Sequence, residues 1–145
     1  MSTTRIFTIA EVNELIPALG FVVGRQLSRR AEIESRLRAL AELTGDVPNE
    51  IALDPKDSPE VRRQKSELAG KVHEYQAGWQ EVEAMGGVLK DSRAGLVDFY
   101  GRVDDTLVWL CWKYGETEVT HFHALDEGFT ARKEIRTSIR TRLLN

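Results

Sequence analysis

The sequence predicts an α+β fold, in which a long antiparallel helical hairpin packs on a small antiparallel sheet of three to four strands. Three observations predict it. Apolar residues recur every three or four positions from Val12 to Leu40, the period of one helix face. A second periodic run, from Val61 to Val82, follows a short loop. Between Gly95 and Phe129 the pattern changes to β-branched and aromatic residues, and this stretch holds all three Trp, the single Cys and two of the three His. Two helices cannot bury their own stripes alone, so the helical half must lie on the sheet, on a second copy of itself, or on both.

The first helix has a complete start signal. Thr8 and Glu11 are spaced as a capping box, each side chain reaching the other's backbone amide, and Phe7 and Val12 stand where a hydrophobic staple closes. Val12, Leu15, Leu19, Val22, Val23, Leu27, Ile33, Leu37 and Leu40 form the stripe. Pro17 falls inside it and removes one backbone donor, so a kink is expected there. Gly45, Asp46, Val47, Pro48 and Asn49 end the helix, and Asp54, Pro55, Lys56 and Asp57 make a second turn.

Ser58 and Pro59 open the next helix as N-cap and first helical residue. Val61, Leu68, Tyr75 and Val82 repeat every seven residues, with Lys65, Val72 and Trp79 in the alternate seam. Gly86 and Gly87 stop the helix. His73 sits beside the seam as an ordinary helix residue.

Residues 96–103 and 106–114 read as strands around an Asp104–Asp105 turn, and residues 119–123 as a third. Val88 and Leu89 suggest a further edge strand. A two-residue first loop pairs Val103 with Thr106, Phe99 with Leu110 and Val97 with Trp112. A second loop of even length pairs Trp112 with His121 and Leu110 with His123. Alternation then puts both His on the core face, and Cys111 on the opposite face with Asp98, Tyr100, Leu107, Trp109 and Phe122. An odd loop reverses that assignment. The second face keeps large apolar groups, so a two-fold homodimer is expected to cover it.

One ordered series of short motifs runs through these elements: Phe7 and Thr8; Val88 to Asp91; Gly95 to Phe99; Leu110 to Trp112 with Gly115 and Glu116; Phe122 and His123; Gly128, Phe129 and Arg132. The series resembles the bacterial family known as domain of unknown function 2203, over residues 5–132. The resemblance implies a small prokaryotic protein of unassigned role. It supplies no reaction.

Length bounds the rest. At 145 residues the chain makes one domain with a modest core. It is read as a single α+β domain over residues 1–132 and a basic tail over 133–145. Twenty basic and 23 acidic residues leave a net charge of −3, which gives no argument for nucleic acid or an anionic membrane. The opening MSTTRIFTIAEVNEL lacks the pattern of a signal peptide, and no apolar run approaches the roughly 18 residues of a membrane span. One Cys excludes an internal disulfide, and a cytoplasmic location is expected.

The sharpest chemical signal is His121-x-His123-x3-Glu127. Two His at i and i+2 of a strand point the same way, and a carboxylate downstream closes a divalent-metal site, zinc for example. The spacing matches the first half of the cupin metal motif, but the double-sheet barrel of that fold is missing. Glu116, Asp126 and Arg132 gather near the same end of the sheet. No nucleophile with its base, oxyanion hole or phosphate-binding loop is evident. Two functional readings stand: a non-enzymatic interaction or scaffold protein acting as a homodimer with an unidentified protein partner, and a metal-binding protein or small metalloenzyme. Residues 130–142 carry Arg132, Lys133, Arg136, Arg140 and Arg142 against Glu134, and the tail is expected to be solvated.

Overall fold

The computed structural model describes residues 5–45, 51–140 and 142–143; the turn expected over 45–49 therefore lies, beyond Gly45, outside the described residues. The elements are α1 (Ile9–Thr44), α2 (Pro59–Gly78), α3 (Gln80–Ala84), β1 (Val88–Asp91), β2 (Leu96–Val103), β3 (Thr106–Lys113), β4 (His121–Ala124), a 3-10 turn (Phe129–Ala131), β5 (Lys133–Glu134) and α4 (Thr137–Arg140). The fold is α+β. Its sheet has five strands in the order β1-β2-β3-β4-β5, all antiparallel, in place of the expected three to four. The chain divides into two compact units, residues 25–80 and the remainder.

The larger unit holds the sheet and the first turns of α1. The capping box forms as read: the Thr8 amide donates to Glu11 Oε1 at 2.9 Å and the Glu11 amide to Thr8 Oγ1 at 3.1 Å. Pro17 lies inside α1 without ending it. Phe7 donates its amide to the Tyr100 carbonyl at 2.7 Å and sets its ring edge-on to Phe99, centroids 5.1 Å apart. Val12, Leu19 and Val23 are fully buried, as are Val97, Phe99, Leu110 and Trp112, each large apolar side chain contributing about 1.5–3 kcal/mol by leaving water. Gly86 ends α3 at φ +93, a left-handed conformation that suits glycine, and Phe7 fills the space where a side chain would sit.

The first hairpin has the predicted pairing, Val97 with Trp112, Phe99 with Leu110 and Val103 with Thr106. The β3–β4 pairing does not. Cys111 faces His121 and Trp109 faces His123, one residue out of the expected register. The cause is Val119, which was expected to start the strand. Its side chain is buried, and its amide leaves the ladder to donate to Asn13 Oδ1 on α1 at 2.8 Å. The intervening loop is therefore odd, and every β4 side chain changes face.

The segment expected as a solvated tail returns to the sheet. β5 pairs with β4, and Leu143 bridges to Val103. Ile135 and Leu143 are buried, the Asp104 amide donates to the Arg142 carbonyl, and Arg142 Nε meets Asp104 Oδ2 at 2.9 Å. Apolar spacing outweighed basic charge here, because the arginines point outward while the aliphatic residues dock.

The smaller unit is the helical hairpin. Leu40, Val61 and Leu68 form its core, with Ile33, Leu37, Ile51 and Val72 against them. Ser58 caps α2 through the Val61 amide at 3.2 Å. The seven-residue repeat predicted a helix running to Val82, yet α2 stops at Gly78. Gln26, fully buried, inserts its side-chain amide there and donates to the Tyr75 carbonyl. That carbonyl would otherwise accept the Trp79 amide, which turns to Ala77 instead.

Candidate metal centre

Asp98 on β2, Cys111 on β3 and His123 on β4 occupy the sheet face opposite α1. Asp98 pairs with Cys111 across β2–β3, and the shifted register brings His123 beside them. The three are 1%, 1% and 3% exposed. One ligand atom from each lies within 4.8 Å of the other two, the one such group of three or more found among the described residues. Roughly 3.3–3.8 Å separates the donors of a tetrahedral zinc ion with bonds of about 2.0–2.3 Å, so small side-chain rotations suffice.

The His123 ring is oriented from both sides. Nδ1 lies 3.0 Å from the Ala124 carbonyl oxygen. A carbonyl only accepts, so Nδ1 donates. Nε2 then faces Asp98 Oδ2 at 2.9 Å, and one proton is shared between them. Metal-bound histidines have this same arrangement, with one nitrogen held by a backbone carbonyl and the other presented to the ion. Burial pushes the Asp98 carboxyl above the usual carboxylate range, against the opposing pull of His123. Asp98 Oδ1 is buried without a hydrogen bond of good geometry. Burial also pushes the Cys111 thiol up to about 12, with the Asp98 charge adding to the effect. Such a thiol is inert unless a cation replaces its proton.

A cavity of about 310 Å³ opens beside the cluster, lined in part by Lys90, Leu96, Glu127 and Phe129. The surrounding face is filled by the chain itself. Tyr100 stacks on Trp109 with centroids 4.1 Å apart, and the Lys90 ammonium lies 4.0 Å over the same Trp ring. Arg132 reaches both Glu116 oxygens at 3.1 Å and lies over Phe129.

Of the residues singled out by spacing, His123 enters the cluster and Glu127 lines the cavity, its Oε1 accepting the Ala124 amide at 3.1 Å. His121 shares the strand face, but its Nδ1 meets Thr120 Oγ1 at 2.8 Å. Asp98 was not singled out, and the expected register kept Cys111 on the face away from both His. Asp98 did leave a signal, a lone acid inside the apolar run Leu96-Val97-Asp98-Phe99, where a charge needs a partner.

The fold is an antiparallel five-stranded sheet with long helices, and it carries a buried Asp–Cys–His cluster beside an open cavity. The chain belongs to the family described as an uncharacterized conserved protein, DUF2203, whose model matches residues 5–135. No curated protein matches the chain, and neither does any solved structure.

Proposed function

We propose that this chain binds a single divalent transition-metal ion of the zinc type through Asp98, Cys111 and His123. The observation that carries the reading is the His123 ring, held by a backbone carbonyl at Nδ1 with Nε2 turned toward a buried carboxyl and thiol. The ion replaces the proton shared by Asp98 and His123 and the proton of Cys111, and it satisfies the orphaned Asp98 oxygen. A mixed O, S, N set suits zinc or cobalt better than magnesium or calcium. Three protein donors leave one position open, as in zinc sites that do chemistry. A reducing, cytoplasmic setting keeps Cys111 a thiol; among the described residues no helix is long and apolar enough to cross a membrane.

Elemental analysis of tag-free protein tests the reading. Stoichiometric metal is expected in the wild type and in Glu127→Gln, and its loss in Cys111→Ser and His123→Gln. Loss in Glu127→Gln instead restores the site His121, His123 and Glu127 expected from spacing. Metal-free wild type with Cys111→Ser folded as usual removes both sites and leaves the interaction or scaffold reading.

A further inference from the structure

The cavity beside the cluster has its own chemistry, and its use as a binding site rests on the metal reading. Two carboxylates that line it are already engaged. Glu127 Oε1 accepts the Ala124 amide, and Asp91 Oδ1 accepts the amides of Arg93 and Ala94 at 2.9 and 3.0 Å. The Lys90 charge reaches Asp98, but among the described residues its ammonium is not tied to any carboxylate by a salt bridge. It rests on the Trp109 ring. Trp109 is itself fixed by burial and by Tyr100, so the cation is held at the cavity wall at little entropic cost. Leu96 and Phe129 supply apolar surface on the same lining.

A divalent ion with Asp98 and Cys111 as anionic ligands is neutral. Lys90 is then the positive charge available to a ligand at the open position. We propose that the cavity binds a small organic carboxylate, one oxygen on the metal, the other against the Lys90 ammonium, and its substituent against Leu96 and Phe129. A carboxylate bridges two cationic centres with two oxygens, which a halide does not. The volume of about 310 Å³ suits a small molecule.

The test uses the full chain loaded with cobalt(II) and titrated with butyrate. The thiolate-to-cobalt charge-transfer band reports Cys111, and the visible d–d bands report the open position. Saturable d–d changes with the charge-transfer band retained are expected. Lys90→Met should weaken butyrate about tenfold without altering that band, and Lys90→Arg should bind nearly as the wild type does. Unchanged d–d bands on adding butyrate, equal affinity in Lys90→Met, or chloride binding as tightly as butyrate would each overturn the carboxylate site while the metal site stands. Absence of the charge-transfer band overturns the metal reading, and the carboxylate site with it.

Discussion

Glu11 is a half-exposed carboxylate with a defined task. The Thr8 backbone amide, with further help from Arg5 and the Thr8 hydroxyl, holds its carboxyl below the usual range. A lowered value means the unfolded chain takes up the proton first as pH falls. The stabilisation is therefore complete above the ordinary carboxylate value of 4.5 and is lost as pH drops through the lowered one. Glu11→Gln should melt below the wild type at neutral pH, and the gap should close in acid; a gap independent of pH would remove the charge from the explanation. This cap was legible because both partners are three residues apart. The buried cluster was not, because Asp98, Cys111 and His123 meet only through two strand pairings. Turning one of those pairings by a single residue moved Cys111 from the face away from both His to a place beside His123.

Elements were more legible than their junctions. Helix starts at Thr8 and Ser58, and the first hairpin, follow from local signals that the structure retains. The end of α2 does not, since Gln26 lies far away in sequence and makes the break from outside. A Cβ on Gly78 would collide with Gln26 Oε1, and Gln26 is fully buried with Arg29 on the same oxygen at 2.8 Å. Gly78→Ala is expected to cost about 1–3 kcal/mol in urea unfolding. In the Gln26→Ala background the added cost should largely vanish, because the buried amide is gone and the Arg29 guanidinium, at the end of a flexible side chain, can move aside. Additive losses would mean that glycine is needed for its backbone alone. The β3–β4 register belongs to the same category: the loop's parity was set by Asn13 drawing Val119 off the ladder, a contact across more than half the chain.

For the whole molecule, the α+β class and the family were readable from pattern, while the fate of the last residues was not. The homodimer expectation came from an apolar second sheet face. On that face Trp109 is only 5% exposed, between Tyr100 and Lys90, which leaves less apolar surface for a partner to cover. The expected light-scattering mass at micromolar concentration is that of one chain; twice that mass would restore the homodimer expectation.

β5 is only two residues long, and it lies along β4 on the rim of the sheet. A rim with unpaired backbone groups invites strands from other molecules, and a short, charged Lys133–Glu134 cover offers them little purchase. β5 thus covers the outer edge of β4, and this cover is expected to limit association. Chains ending after Arg132 should fold yet clump as concentration rises, seen as turbidity or high-mass scattering. If they stay as dispersed as the intact chain, the cover is dispensable.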